Sequence, residues 1–181
     1  MKHRFSGVFF CYAWAPFYFY PMRSIFLLWL CTLFFVLPQT SCNKNKCDLQ
    51  ESTKTADTSE IHVIENYLNS KGITATQAPS GFFYVIGNAG SGTRPNLCSS
   101  VTVKYKGTLL NGSVFDQSTS NVSFPLQNLI VGWQKGLPLI QKGGQITLYI
   151  PPSLGYGSYA QSGIPANSTL IFDIDLVGVV Q

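Results

Sequence analysis

The chain has 181 residues, with twelve basic and eight acidic side chains and a formal net charge of +4, a length that holds one domain with at most an appended segment. Lys2, Arg4 and Arg23 fall before Cys42 with no acid among them, so the rest of the chain carries nine positive against eight negative charges. The alkaline balance therefore belongs to the leader, and a nucleic-acid-binding role loses its electrostatic ground.

The leader reads as an export signal. Met22-Arg23 supplies a positive start, Ile25 to Leu37 an apolar stretch interrupted only by Thr32, and Thr40-Ser41-Cys42 a small-residue end. The apolar stretch is short for a membrane span, which needs about 20 residues. Cys42 follows a small residue and precedes the polar Asn43-Lys44-Asn45-Lys46, which resembles a bacterial lipoprotein processing site with Cys42 as the lipid-bearing first residue. Gln39 stands where that pattern prefers an aliphatic residue, and plain cleaved secretion or an uncleaved anchor are the alternatives. Upstream, Phe9 to Tyr20 is a second apolar, ring-rich stretch broken by Pro16. A translation start at Met22 is the simpler reading of it, a membrane hairpin the other. Cys11 and Cys31 leave with the leader. Cys47 and Cys98 could pair in an oxidising envelope, which the sequence leaves open. Without a CxxC or Cys/His cluster no metal is expected.

Residues Asn43 to Thr58 are polar with no apolar period and are expected to form a disordered tether. Thr58 or Ser59 then caps a helix in which Ile61, Ile64 and Leu68 recur at helical spacing, closed by Lys71-Gly72, and a linker continues to residue 80. A helix of about three turns is too short to dimerise strongly alone, so a monomer is expected. From residue 81 to 181 the pattern is that of strands: Phe82 to Ile86, Val101 to Leu109, Ile146 to Ile150 and Thr169 to Val180, with Trp133 to Ile140 as the one plausible helix between them. Strands around one short helix predict an α+β fold, an antiparallel sheet wrapped on that helix.

Four segments carry the functional signal: Val101-Thr102-Val103-Lys104-Tyr105-Lys106-Gly107; Gly112-Ser113-Val114-Phe115-Asp116; Leu129-Ile130-Val131-Gly132-Trp133-Gln134-Lys135-Gly136; and Gly155-Tyr156-Gly157 followed by Ile164-Pro165 and Leu170-Ile171-Phe172-Asp173. A ring in a strand, taken alone, is normally core. The ordered coincidence of these segments is what singles their rings out. Together they resemble the FKBP-type peptidyl-prolyl cis-trans isomerases, over roughly Phe82 to Gln181.

The resemblance implies a half-barrel fold and a set of roles. Trp133 would floor a prolyl pocket, Tyr105, Phe115 and Phe172 would wall it, and Ile130 would stand at its edge with its backbone N–H as a donor to a substrate carbonyl. Tyr156 would supply a second donor, Asp116 would hold Tyr105 or the substrate, Leu129 would pack beside Ile130, and Ile164 would cover one side. Phe124 or Val122 would complete the wall, since the stretch from there to Trp133 is about two residues shorter than in the best-known members. The family also implies proline-containing polypeptides as substrates, macrolide inhibitors as ligands and no cofactor. Rotation about an X-Pro bond is opposed by about 18–20 kcal/mol of lost amide resonance. No proton need move, so a dry, ring-walled cavity suffices as catalyst. With the leader, this points to an isomerase that assists the folding of exported proteins, lipid-anchored to a membrane and facing the periplasm. A non-catalytic peptide-binding chaperone or assembly module built on the same groove is the competing reading.

Overall fold

The computed structural model of the protein describes residues 47–181. The export leader, the Met22 start, the lipid-bearing Cys42 and residues 43–46 of the tether lie outside the described residues.

Residues 47–57 have no regular secondary structure, yet they are tied to the domain at both ends. Cys47 is disulfide-bonded to Cys98, 51 positions away and with the Cα atoms 5.6 Å apart, and the Ala56 N–H donates to the Ser80 carbonyl at 2.9 Å. Closing a loop of that size removes on the order of 4 kcal/mol of chain entropy from the unfolded state.

Helix α1 spans Thr58–Lys71, one residue earlier than a Thr58 cap implies and two earlier than a Ser59 cap, because Asp57 takes the extended N-cap position. It ends where the spacing predicts. Gly72 adopts φ 64°, a left-handed conformation open to glycine, and the Ile73 N–H returns to the Leu68 carbonyl. Ile64 and Leu68, on the apolar stripe, are buried against Phe83, Tyr149 and Ile171 of the sheet.

The sheet has six antiparallel strands in the order β1-β2-β5-β6-β3-β4: β1 Thr76–Gln77, β2 Phe83–Asn88, β3 Ser100–Leu109, β4 Val114–Pro125, β5 Gln145–Ile150 and β6 Leu170–Val180. Alternation along the strands divides its two faces. Ile146, Leu148 and Ile150 of β5 and Leu170, Phe172, Ile174 and Leu176 of β6 point into the main core, whereas Tyr149 and Ile171 point to α1.

Helix α2, Val131–Gly136, lies on the core face. Gly132 and Gly136, one turn apart, bring its backbone against β5: a Cβ on either would stand 2.6 Å from the Ile150 or Leu148 side chain. The helix is shorter than the expected Trp133 to Ile140. At Gly136 it gives way to a 3₁₀ turn, Leu137–Leu139, because Pro138 has no N–H to continue the α-helical ladder. Strand β4 was not expected from the sequence. Its middle is polar and exposed, as an edge strand can be, and its pairing with β3 slips between Val103↔Val122 and Tyr105↔Ser118. The slip bends β4, and both of its halves contribute to the cleft described next.

Candidate functional site

Strand β3 carries Tyr105 inward at the slip, and two residues on it has Gly107, which pairs with Asp116 of β4 and Phe172 of β6. A side chain at Gly107 would meet the Phe115 ring at 2.6 Å and the Phe172 ring at 3.0 Å. Glycine there lets the two rings close over the strand, edge to face at 5.4 Å and 87°. Phe172 in turn meets Trp133 at 5.1 Å and 89°, and Tyr105 meets Trp133 at 5.5 Å and 83°. These near-perpendicular pairs set positive ring edges on negative ring faces. Trp133 is fixed at the centre with 4% of its surface exposed.

Trp133 reaches that position because Ile130, extended at φ −60° and ψ 151°, turns the chain into α2. The Ile130 carbonyl accepts from the N–H groups of Trp133 and Gln134 at 2.9 and 3.1 Å, while its own N–H meets no acceptor among the described residues. The indole Nε1 of Trp133 is likewise buried with no partner among them.

The rings enclose a cleft of about 260 Å³ lined by Tyr105, Asp116, Phe124, Asn128, Leu129, Ile130, Trp133, Tyr156 and Phe172. Its polar groups are few and directed. The Tyr105 hydroxyl donates to Asp116 Oδ2 at 2.6 Å. Burial first, then the hydrogen bond to Asp116 and its negative charge, push the Tyr105 phenol up to about 12. Burial and the charge of Asp116 also raise Tyr156 above the usual tyrosine value. Both phenols are therefore protonated donors at neutral pH. Tyr156, 37% exposed, stands between Gly155 and Gly157 on a loop that begins with the 3₁₀ turn Pro152–Leu154. The lining has no serine, cysteine, histidine or lysine. The arrangement can hold an apolar ring against tryptophan and offer hydrogen-bond donors to carbonyl oxygens.

Eight of the expected site residues thus line one cleft: Tyr105, Asp116, Phe124, Leu129, Ile130, Trp133, Tyr156 and Phe172. Phe124, not Val122, is the wall on β4. Both pack against the main core, and of the two only Phe124 also lines the cleft. Phe115 stands behind Phe172, and Ile164, 5% exposed, belongs to the main core, its loop closed by the Gln161–Ile164 bridge. Asn128, which also lines the cleft, carried no sequence signal, since a lone exposed carboxamide before an apolar run fits no pattern.

The comparisons with known proteins agree with this geometry. The sequence pattern of the family described as FKBP-type peptidyl-prolyl cis-trans isomerase matches residues 92–177. FKBP-type peptidyl-prolyl cis-trans isomerase FkpA from Buchnera aphidicola subsp. Acyrthosiphon pisum is 48% identical over 120 residues, covering 65% of this chain and 49% of that protein. The crystal structure of FkpA from Escherichia coli superposes with a TM-score of 0.61 at 41% identity, covering 67% of this chain and 57% of the other. The crystal structure of AtFKBP13 superposes with a TM-score of 0.54 at 31% identity, covering 59% of this chain and 99% of the other. The chain spans about half the length of the curated relatives it matches. AtFKBP13 is matched over 99% of its length at 31% identity, and on that ground the chain belongs to the FKBP-type peptidyl-prolyl cis-trans isomerase family.

Proposed function

We propose that the chain is a peptidyl-prolyl cis-trans isomerase and that the cleft over Trp133 is its active site. The observation that carries the reading is the ring cluster itself, Tyr105 and Phe172 set edge to face on a buried tryptophan at the floor of a small cleft. A planar amide is stabilised by charge separation between its oxygen and nitrogen, which water favours. In a dry, ring-walled hollow that stabilisation weakens, while the twisted amide, with less charge separation, loses little. The prolyl ring packs on Trp133 between Tyr105, Phe172 and Phe124, with Phe115 and Ile164 supporting from behind. The Ile130 N–H and the Tyr156 hydroxyl orient substrate carbonyls, Leu129 seals the edge beside Ile130, and Asp116 fixes Tyr105. Interactions stronger with the twisted than with the planar amide lower the barrier, about 1.4 kcal/mol for each tenfold in rate. Macrolides of the kind the family binds would occupy the same cleft.

The setting proposed is the bacterial cell envelope, where the enzyme assists exported proteins through X-Pro steps that take tens to hundreds of seconds uncatalysed. A disulfide between Cys47 and Cys98 supports an oxidising compartment. Attachment to a membrane through lipid on Cys42, facing the periplasm, is supported by the small-residue and polar context of that cysteine. The tether would then run from Cys42 only as far as Cys47, where the disulfide to Cys98 ties the chain to the folded part. A monomer is supported by α1, whose Ile64 and Leu68 are spent on its own sheet. A protease-coupled assay on a short X-Pro-Phe peptide tests the activity: acceleration inhibited by a macrolide is expected, and an uncatalysed rate would leave the non-catalytic binding module as the better reading. The mass of the mature protein tests Cys42, with a diacylglyceryl adduct on that residue expected.

A further inference from the structure

A second hollow of about 260 Å³ opens beside the cleft, lined by Leu49, Gln50, Leu97, Gln127, Asn128 and Gln134. Asn128 lines both. The inner wall is fixed: the Gln134 carboxamide nitrogen donates to the Gln127 carbonyl at 2.9 Å and to the Leu129 carbonyl at 2.8 Å, and Leu97 is 9% exposed. The outer wall, Leu49 and Gln50, belongs to a segment without regular structure, held against the domain by the disulfide from Cys47 to Cys98, the residue next to Leu97. Leu49 is left 44% exposed there, an apolar side chain facing a groove with no charged residue in its lining.

We infer that this groove is a subsite for the substrate stretch flanking the proline, seating an uncharged apolar side chain on Leu49 and Leu97. The carboxamides of Gln50, Gln127 and Asn128 are of the type that satisfies a neighbouring extended backbone, which carries one donor and one acceptor per residue. Each extended residue spans about 3.4 Å, so a hollow that shares the Asn128 wall is within a few residues' reach of a proline held on Trp133. The occupant is the substrate's own chain because the groove shares the Asn128 wall with the cleft and is bounded on its other side by Leu49 and Gln50. The inference rests on the isomerase reading of the cleft. It adds that Cys47 and Cys98 position one wall of the subsite through Leu49.

The test compares, on the full chain, a four-residue peptide with a central X-Pro bond and ten-residue peptides with leucine at successive positions on either side of the proline. In the wild type, kcat/KM for one leucine register should exceed that for the short peptide. Leu49→Ser should lower that ratio about fivefold to tenfold, the order expected when an apolar side chain loses its apolar partner. Replacing both cysteines by serine should lower it in the same direction. Side-chain amide NMR signals of Gln127 and Asn128 should shift with the long peptide and not with a long peptide bearing aspartate in the preferred register. An unchanged ratio in Leu49→Ser, or amide signals indifferent to the leucine register, would overturn the subsite. Acceleration of neither peptide by the wild type would instead overturn the isomerase reading, and the amide shifts would then decide the groove alone.

Discussion

Glu60, in the first turn of α1, accepts two hydrogen bonds from Ser153, one from its backbone N–H at 3.3 Å and one from its hydroxyl at 2.5 Å. Ser153 lies in the 3₁₀ turn Pro152–Leu154, and the Gly157 N–H returns to the Pro152 carbonyl at 2.8 Å. The N-terminal helix therefore holds the turn from which Tyr156 reaches into the cleft. Hydrogen bonds to a carboxylate contribute about 1.5–3 kcal/mol each when well shielded and less when partly exposed, as here. Glu60→Ala is expected to lower the stability of the domain by about 1–2 kcal/mol in urea unfolding. It should also raise KM for a prolyl peptide more than it lowers kcat, because the Tyr156 donor loses its fixed position. Glu60→Gln, which keeps one acceptor oxygen, should recover part of both.

The Tyr105–Asp116 pair predicts a pH dependence. Tyr105 ionises near 10 when unfolded and at about 12 when folded, so the folded state keeps its proton longer. Its contribution to stability is complete below pH 10 and is lost as pH rises through about 12. Absorbance titration at the phenolate band should show a phenol titrating near pH 12, beside the raised Tyr149 and Tyr156, that Tyr105→Phe removes. The urea midpoint of that variant should fall less steeply than the wild type's over the same window. At neutral pH, Tyr105→Phe keeps the ring and loses the hydrogen bond, for an expected drop in kcat/KM of about fivefold.

Much of the site was legible because it is written in short strings: Gly132-Trp133, Gly155-Tyr156-Gly157 and Val114-Phe115-Asp116 each set a ring beside a glycine or an acid. Strand β6 and the end of α1 were legible for a different reason, an apolar run and a glycine cap that act locally. Strand β4 was not, since residues such as Asp116, Gln117 and Asn121 lie exposed on an edge and give no alternation. Nor could any local pattern separate Phe172, which lines the cleft, from Phe115, which stands behind it. That distinction is made by how rings from two different strands pack on each other, Phe115 edge to face with Phe172 and outside the cleft lining. Asn128 and the Glu60–Ser153 link depend on contacts between distant segments, which periodicity does not encode.

Gly107 provides a third test. An alanine methyl at that position would overlap the Phe115 ring at 2.6 Å and crowd Phe172, displacing two aromatic side chains together. Gly107→Ala is expected to destabilise the domain by about 1–3 kcal/mol, the range for overpacking. Adding Phe115→Leu should relieve part of it. A double-mutant cycle by denaturant unfolding checks this, with a favourable coupling of about 1 kcal/mol expected between the two substitutions.

Trp133 separates packing from function. Its Nε1 is buried with no partner among the described residues, a group whose desolvation costs about 1–3 kcal/mol. Trp133→Phe removes both that group and part of the floor. The two effects on stability oppose each other, and a net loss no larger than about 2 kcal/mol is expected. Activity has no such offset and should fall at least tenfold.

The central claim is that the ring-walled cleft over Trp133 speeds rotation about X-Pro bonds, and NMR exchange spectroscopy on a proline peptide with the purified protein measures it most directly. Cross-peaks between the cis and trans forms should grow with protein concentration and vanish when a macrolide fills the cleft. Interconversion no faster than in buffer alone would contradict the account.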